Sequence, residues 1–597
     1  MDIEAGGSSP VRAARAADGG TGAAAIYPLR FSRSEPGPQA YLQDDAVGRL
    51  LEFFRAKGLQ KLKEEDRGEQ WYGDWLAYQK QHGLYAAMLS PTKCGGGGLD
   101  LLRYARFLEV FAYCSPAHGY SLQVTFLGLF SILMGTNQGL KQEAVALLRA
   151  GALLGFGVSE KDHGSDLLAN EFIIADTGTG MVANGRKYYI GNASAAGMLA
   201  VLGRKTSTDP RAAARANRAP FVLVALRSRE APAFRSLGKI RTLGVRAADV
   251  GGFEVKNHPV PAADVIAEGR DAWDAVFGTV TLGKFFLGFG SIGICEHALA
   301  EALDHLRRRI LYGKPVLHIP HIQAKVAQAH ARLAAMKLYA YRALDYVHAA
   351  TADDRRYQLF CAVQKARVST EGVKVMALLS ECIGARGFES DTYFEMALRD
   401  IQLIPGLEGS MHINLGLAAQ FSGRYFDRWD AGLGVPPSLV AGEAVPGENS
   451  YLMEARTGAT HAIAFRPFLE AYRGLANLPN AVAFAWQAAA FRRVTQCTSV
   501  REAGGADTEP GLLLGQCLAT IVYGQLVAEN AARLKLPLPM ISAILGLLVA
   551  DLSAWALQLA SLPCFDGASR ARMLQMVRPA RTSAQDWQFQ AEKLAND

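Results

Sequence analysis

One carboxylate in the second half of the chain has neighbours that suit a general base. Glu408 stands in the segment Leu407-Glu408-Gly409-Ser410. Because the glycine adds no side-chain bulk, the backbone amide and the carboxyl group of Glu408 can both approach a bound substrate. A solvated surface acid is the ordinary alternative for a single Glu, since Glu is almost never fully buried unless it is paired. The segment predicts a base if other segments place ligand-binding groups around it.

A second polar segment precedes this carboxylate by some 240 residues. Residues 159–166 read Ser-Glu-Lys-Asp-His-Gly-Ser-Asp. Small hydroxyl groups together with backbone amides suit the binding of an anion such as a phosphate. A polar surface turn of no function is the alternative interpretation. The two segments lie too far apart in sequence to share one helix or strand, so the fold must bring them together.

The composition is that of an ordinary globular protein. The chain has 597 residues, of which half are hydrophobic and a fifth are charged, and this length predicts roughly three to five domains. The formal net charge of +7 is small. No long basic run with interleaved aromatic residues is present, so we do not predict nucleic acid as a partner. A mildly basic surface favours polyanionic small ligands such as phosphorylated carriers.

The cysteines indicate a reducing compartment. They are scattered through the sequence without a CxxC pair, which argues against a disulfide framework and against a zinc site, and we predict a cytoplasmic protein. His318 and His321 have no Cys or acid nearby, so they are interpreted as loop histidines and no metal site is predicted. The eight cysteines are residues 94, 114, 295, 361, 382, 497, 517 and 564.

One stretch resembles a membrane span in length. Residues 541–562 are strongly apolar, but they contain Asp551, and a charge at the centre of a bilayer costs several kcal/mol by most scales. Length and apolarity alone give only a candidate span. We therefore predict a helix buried inside a bundle and no integral membrane span.

Hydrophobic spacing divides the chain into helical and β regions. Apolar residues recur at three-and-four spacing before residue 155 and again after residue 271, whereas short β-type runs separated by glycine turns fill the region between. An antiparallel sheet or barrel followed by a four-helix bundle is predicted. The predicted units are a flexible tail (1–40), an N-terminal helical domain (41–155), a β-barrel domain (156–270), a four-helix bundle (271–425) and a C-terminal helical extension (426–597).

A glycine motif within the second helical region resembles a dinucleotide fingerprint. Residues 288–293 satisfy the pattern GxGxxG. The fingerprint requires a preceding strand, and here the surrounding pattern is helical. Small residues that let two helices approach closely are the better interpretation.

Taken together, these segments resemble the acyl-CoA dehydrogenase family. The resemblance covers roughly residues 41–425, and the extension is more similar to that of the acyl-CoA oxidase branch. It implies a mainly α fold with a central β domain, FAD as the cofactor, and residues 159–166 in the place of the family segment T-E-P-G-x-G-S-D. In that segment Ser159 would donate to the flavin ring, and Ser165 would contact the flavin pyrophosphate or the substrate.

The resemblance also assigns the β-domain strand that follows. Residues 185–193 resemble the family strand G-x-K-x-W-I-T-N-A, which places Tyr189 against the flavin face, where an aromatic ring is expected. Gly191 stands where the family has a Thr whose hydroxyl touches the flavin near N5. This departure predicts altered flavin reactivity.

Two further elements are assigned to the dinucleotide. Arg309 and Tyr312 match the family element R-x-x-F-G, whose guanidinium suits phosphate oxygens, often across a subunit boundary. Pro320 stands where a Gln is usual. The adenine-side element Q-x-x-G-G has substitutions here, and its matching residues are Glu381, Gly384 and Ala385.

Glu408 falls on the family's catalytic base, in the element x-E-G-T. Ser410 takes the place of the Thr, and His412 stands where a Gln often contacts the cofactor. The alternative base site of some members aligns with Gly283, so Glu408 has no rival. The resemblance implies a substrate site that also includes Ser165, Lys284, Leu407 and Gly409.

The resemblance implies α,β-desaturation of an acyl thioester carried by coenzyme A or an acyl carrier protein. Glu408 would remove the α-proton, and flavin N5 would take the β-hydride. An electron-transferring flavoprotein or O2 would be the acceptor, and a homodimer or homotetramer is expected. Two alternatives stay open: a flavin oxidase or monooxygenase of specialised metabolism, and a flavin-free non-catalytic homologue.

Overall fold

The computed structural model describes residues 44–178, 180–207, 220–227, 233–454, 462–498 and 504–596. The predicted tail at 1–40 lies outside these residues. The described helices and strands follow one another as helices, then a sheet, then long helices up to the C-terminal end. This order is the one that hydrophobic spacing predicts.

Helices form the N-terminal region because their apolar residues repeat every three or four positions. Three helices begin at side-chain caps: the Asp44 carboxylate accepts from the amide of Ala46, the Asp100 carboxylate accepts from the amides of Leu102 and Arg103, and the Asn137 side chain accepts from the amide of Leu140. The six helices of this region are α1 (Asp45–Arg67), α2 (Gly73–His82), α3 (Leu84–Leu89), α4 (Leu101–Cys114), α5 (Pro116–Leu133) and α6 (Gln138–Arg149).

Eight strands then form one sheet in the order β6-β7-β3-β2-β4-β5-β8, with β1 pairing to β4. The strands are β1 (Leu153–Gly157), β2 (Ile173–Asp176), β3 (Met181–Gly191), β4 (Ala196–Ser207), β5 (Phe221–Leu226), β6 (Phe234–Lys239), β7 (Val250–Val260) and β8 (Val265–Glu268). The predicted strand segments all fall within these strands or begin one residue before them. A turn expected at Asn184-Gly185 is wrong, because these residues form a bulge inside β3, where Gly185 has a φ of 140°.

The sheet is mixed, which corrects the prediction of an antiparallel barrel. β1 and β2 both pair with β4 in parallel. The reason is the position of β2 between β3 and β4. A short turn joins β3 to β4, so these two strands run in opposite directions and β2 can be antiparallel to only one of them.

A helical bundle follows the sheet, and its longest member is α7 (Gly269–Arg308). A short hairpin of β9 (Ile310–Leu311) and β10 (Lys314–Pro315) leads to the next helix. A π-helical segment, Gln364–Val368, interrupts what the sequence predicts as one continuous helix. The remaining helices are α8 (Pro320–His348), α9 (Tyr357–Val363), α10 (Ser369–Ile383), α11 (Tyr393–Leu403), α12 (Met411–Ala419) and α13 (Ser422–Asp427).

In the described part of the extension, four of five helices pack against this bundle, and the fifth, Gly567–Leu574, packs against other helices of the extension. The five helices are α14 (Pro479–Cys497), α15 (Glu509–Arg533), α16 (Leu538–Ser561), α17 (Gly567–Leu574) and α18 (Ala584–Asn596). By length and composition alone, α7, α15 and α16 are apolar enough to cross a membrane, and the most apolar windows of these helices are 72%, 89% and 67% buried inside the protein. The absence of a membrane span stays a prediction.

Two sequence interpretations are confirmed by packing. The GxGxxG motif lies inside α7, where a Cβ added at Gly293 would lie 2.1 Å from the carbonyl oxygen of Glu109 on α4. Only glycine allows the two helices to approach this closely. All eight cysteines are free, as their spacing predicts.

Candidate functional site

Glu408 lies in the short connection between α11 and α12, with its carboxylate against α7. A Cβ added at Gly283 of α7 would lie 2.5 Å from Glu408 Oε2. The carboxylate therefore occupies the space that any side chain at position 283 would fill. Glu408 also has a φ of 53°, in the left-handed region that non-glycine residues rarely adopt. Strain of this kind is commonly found at functional sites, where the surroundings hold the residue in place.

Burial raises the pKa of Glu408 to about 7, and Lys365 and Lys284 partly oppose this effect. Burial also lowers the pKa of both lysines, that of Lys284 to about 8 and that of Lys365 to about 7. Both lysine side chains are buried. Three ionisable groups with pKa values near neutrality thus lie together, which is typical of a site that moves protons.

The π-helical segment places the second of these lysines. Lys365 belongs to Gln364–Val368, and its ammonium donates to the carbonyl oxygen of Ile404, close before Glu408 in the chain. Gln364 donates to the carbonyl oxygen of Phe285 at 3.3 Å. Isolated π-helical turns are frequent at functional sites. The π-helical segment therefore contacts α7 through Gln364 and the connection that carries Glu408 through Lys365.

A narrow apolar cavity of about 60 Å³ lies beside the same connection. It runs between α4, α5, α7 and α11, and its wall is mostly hydrocarbon. Gln123 on this wall accepts from the Tyr104 hydroxyl at 3.3 Å and donates to the carbonyl oxygen of Gly283 at 3.0 Å. The residues that line the cavity beside the Glu408 connection are Tyr120, Gln123, Phe286, Leu403, Ile404 and Leu407.

Asp400 is a second buried acid at this cavity. Burial raises its pKa to about 7, and its Oδ1 accepts from the amide of Val245 at 2.6 Å. This hydrogen bond joins the bundle to the β domain. Asp400 is therefore held in a connection between the two units, whereas Glu408 has a carboxylate with no hydrogen-bond donor among the residues that the structure describes.

The end of β3 faces outward beside α5. Tyr189 is 55% exposed and has a φ of 61°. Gly191, the other β3 residue that is predicted to lie beside the flavin, is buried. Ser159 donates its hydroxyl to the carbonyl oxygen of Tyr188 at 2.8 Å. The Ser159 hydroxyl, which we expected to donate to the flavin, is thus already used inside the protein, whereas the Tyr189 ring is free to cover a ligand.

The segment 159–166 is anchored at its start and open at its end. The carboxylate of Glu160 pairs with Lys187 at 2.8 Å and accepts from the amides of Glu171 and Phe172. Ser165 is exposed. Ligand atoms of Glu160, His163 and Glu171 lie within 4.8 Å of one another, but Glu160 is already satisfied by these three donors, so the group carries no argument for a metal.

The residues assigned to the dinucleotide lie on the surface. Arg309 and Tyr312 belong to the β9–β10 hairpin region, and Tyr312 is 94% exposed. Glu381, at the end of α10, pairs with Lys325, so it does not offer a free carboxylate. Gly384, which has a φ of 60°, and Ala385 form the exposed turn that follows.

The residues around the base are only partly shielded from solvent. Leu407, Gly409 and Ser410 are half-buried, and His412 at the start of α12 is exposed. Asn414 donates to the carbonyl oxygens of Gly409 and Ser410 at 3.1 and 3.0 Å. The connection is therefore fixed by α12 on one side and by Lys365 on the other. The structure brings Glu408, Lys284 and Leu407 together, and leaves Ser165, Arg309, Tyr312 and Glu381 at the surface.

Comparisons with known proteins agree with this architecture. Residues 155–258 match the family model for the acyl-CoA dehydrogenase middle domain, and residues 271–422 match that for the C-terminal domain. The chain thus contains the middle and C-terminal domains of the acyl-CoA dehydrogenase family. Among relatives of this family, cyclohex-1-ene-1-carbonyl-CoA dehydrogenase from Syntrophus aciditrophicus is 25% identical over 327 residues, which cover 54% of this chain and 76% of that protein.

Solved structures with the acyl-CoA dehydrogenase fold extend the likeness. An acyl-CoA dehydrogenase from Bacillus anthracis, described as complexed with FAD, has a TM-score of 0.70 at 16% identity and covers 92% of this chain and 94% of its own. The prolyl acyl carrier protein oxidase AnaB has a TM-score of 0.56 at 20% identity, over 64% and 99% of the two chains. Because the first structure covers 92% of this chain, most residues beyond 425 have counterparts in it.

Sequence reasoning missed three features of the site. Lys365 is one, Tyr120 is another, and the cavity beside Glu408 is the third. Lys365 and Tyr120 lie in apolar helical patterns that carry no motif, although a lysine within an otherwise buried helix is a signal in itself, since Lys is rarely fully buried unless it is paired.

Proposed function

We propose that this protein is an FAD-dependent oxidoreductase that desaturates an acyl thioester between its α and β carbons, with Glu408 as the base. The observation that carries the proposal is the half-buried Glu408 side chain, which lies near two buried lysines and beside an apolar cavity and whose pKa is raised by burial to about 7. A base works best when its pKa lies near the operating pH. The family-model matches support the same reaction class.

The α-proton of a saturated thioester is weakly acidic, so its removal needs a base and a donor for the carbonyl oxygen. The Glu408 carboxylate accepts the proton. The backbone N–H of Glu408 has no acceptor among the residues that the structure describes, and it supplies the donor. Lys284 and Lys365 add positive charge beside the negative charge that develops as the proton leaves Cα.

The residues at the outer face of β3 fit a flavin. Tyr189 presents an exposed aromatic ring at the end of a buried strand, and the glycine at 191 adds no side chain there. Large apolar side chains are exposed on the other predicted cofactor segments, at Tyr312, Phe388 and Ile413. These side chains are open to contact with a ligand or a partner. Bound FAD would supply the two-electron acceptor for the hydride that leaves Cβ, while Glu408 takes the α-proton and the C=C bond forms.

For the substrate carrier and the electron acceptor, we propose a chemical class. A thioester of coenzyme A or of an acyl carrier protein fits the mildly basic surface, and an electron-transferring flavoprotein or O2 would reoxidise the flavin. We propose a cytoplasmic homo-oligomer without a membrane span. The exposure of Tyr312 at 94% and Phe388 at 92%, on segments assigned to the dinucleotide, supports a partner subunit at that face.

A single preparation tests the function. Purified protein should show flavin absorbance, and anaerobic mixing with a panel of acyl thioesters should bleach it while an enoyl thioester forms. Subsequent addition of O2 or of an electron-transferring flavoprotein separates an oxidase from a dehydrogenase. A colourless preparation that cannot be reconstituted with FAD would contradict the proposal. Hydroxylated product after exposure to O2 would favour a monooxygenase.

A further inference from the structure

Position 191 has no room for a side chain. A Cβ added at Gly191 would lie 2.4 Å from Val124 Cγ2 and 2.9 Å from Tyr120 Cε1. Carbon atoms do not approach one another this closely in folded proteins, because packed interiors leave no such overlap. Tyr120 and Val124 lie four residues apart on α5, so both side chains leave the same face of that helix. The α5 helix therefore fills the space that residue 191 leaves empty.

The Tyr120 hydroxyl lies in this space. Its oxygen would be 3.1 Å from the added Cβ of residue 191, so a hydroxyl carried by α5 lies next to the position that a side chain at residue 191 would occupy. Tyr120 also lines the cavity beside Leu407 and Gln123. Burial raises its pKa, and the charges of Glu408 and Asp249 raise it further. The phenol is therefore neutral at physiological pH and acts as a hydrogen-bond donor.

This donor forms no hydrogen bond to any residue that the structure describes. The neighbouring phenol of Tyr104 differs, since it donates to Gln123. A half-buried hydroxyl that is left without a partner beside a cavity and a base is placed to meet a ligand.

We propose that Tyr120 is a positioning residue which supplies, from α5, the hydroxyl that Gly191 cannot carry, and that it donates to the edge of the flavin beside Glu408. This inference rests on the proposed function.

The test compares two Tyr→Phe variants that each remove one hydroxyl. Tyr120→Phe should shift the visible absorbance bands and the midpoint potential of the bound flavin, and should lower the rate of anaerobic flavin bleaching by about tenfold, the effect of one hydrogen bond made in the transition state. Tyr78→Phe should leave the flavin spectrum unchanged, because the Tyr78 hydroxyl donates to the carbonyl oxygen of Arg49 within the N-terminal helices. Thermal unfolding should show both variants folded.

A second measurement needs no flavin. Gly191→Ala should lower the melting temperature, and it should lower it less in a Tyr120→Ala background, because one of the two clashes is then removed. Equal losses in both backgrounds would overturn the packing argument. A Tyr120→Phe protein with the wild-type spectrum, potential and rate would overturn the proposed hydrogen bond alone, whereas wild-type protein that binds no flavin would overturn the proposed function as well.

Discussion

Two buried charge clusters lie on either side of the π-helical segment Gln364–Val368, and they differ in how many hydrogen bonds they make. Lys365 of this segment points to the cluster with Glu408 and Lys284, while Arg367 points to a cluster with Glu371 and Asp551. Asp551 belongs to α16 of the extension. One short segment thus carries a charge of each cluster.

The Asp551 cluster is cross-linked throughout. Arg332 pairs with Glu371 at 2.7 Å and with Asp551 at 3.1 Å, and Arg367 pairs with the same two acids at 3.0 and 3.1 Å. Lys374 pairs with Glu371 at 2.9 Å. Burial alone would raise the pKa of Asp551, but Arg367 and Arg332 hold it below its ordinary value.

The Glu408 cluster lacks such links. No ion pair joins its carboxylate to Lys284 or Lys365 within the described residues, so burial is compensated only in part and the pKa of each group moves toward neutrality. Buried charges that form ion pairs keep their charge and stabilise the fold. Buried charges without ion pairs can gain or lose a proton near neutral pH.

The largest expected effect is a loss of activity on substitution in the Glu408 cluster. Glu408→Gln should lower the rate of substrate-dependent flavin reduction by about 10²- to 10⁴-fold, because the base is lost while its shape is kept. The melting temperature should not fall, since the amide no longer carries a buried charge. Stopped-flow absorbance and thermal unfolding measure the two quantities, and flavin reduction at the wild-type rate would contradict the role of Glu408.

The next effect should appear in stability. Asp551→Asn leaves two arginines without a counter-charge, and should lower the free energy of unfolding by about 3–5 kcal/mol, measured by urea titration. Because the pKa of Asp551 is lowered in the folded state, this contribution is present at neutral pH and is lost only in acid. Asp304→Asn is the control, since it breaks an exposed pair with Arg308 and should change stability by less than about 1 kcal/mol.

A third prediction concerns the close contact of α7 with the base. Gly283→Ala introduces a methyl group 2.5 Å from Glu408 Oε2 and 2.3 Å from Leu127 Cδ2, so it should displace the carboxylate and lower turnover while costing about 1–3 kcal/mol of stability. Gly48→Ala is the matched control, because nothing lies within 4 Å of its added Cβ. Equal turnover for the two variants would show that the carboxylate does not need the space at position 283.

The smallest effect should be a change in pH dependence. The rate of flavin reduction should rise with pH and level off above about pH 7, since Glu408 must lose its proton to act as a base. Lys365→Met removes a charge that opposes the effect of burial, so the midpoint of this rise should move to higher pH. A midpoint that stays in place would show that Lys365 does not act on Glu408.

The sequence predicts the order of units and the base, but not the cluster around the base. Helix and strand periodicity follow from local spacing, and the Leu407-Glu408-Gly409 segment is contiguous, so both are visible in the chain alone. Lys365 reaches Glu408 only because a π-helical turn rotates it inward, and nothing in the residues 364–368 announces that turn. The parallel pairing of β2 with β4 depends on which strand lies between which, a property of the whole sheet.

Gly191 shows a different limit. The sequence shows the loss of a side chain at that position, but the filling of the space by Tyr120 becomes visible only when α5 is packed against β3. Likewise, Ser159 reads as a free hydroxyl in sequence, and its hydrogen bond to the carbonyl oxygen of Tyr188 depends on the fold.

The exchange of the substrate α-proton with solvent measures whether Glu408 removes that proton. Oxidised protein is incubated anaerobically in D2O with a saturated acyl thioester that it desaturates, and deuterium at the α carbon is measured by mass spectrometry for the wild type, Glu408→Gln and Asp551→Asn. We expect exchange in the wild type and in folded Asp551→Asn, and exchange that is at least about a hundredfold slower in Glu408→Gln. Exchange at the wild-type rate in Glu408→Gln would show that another group removes the proton.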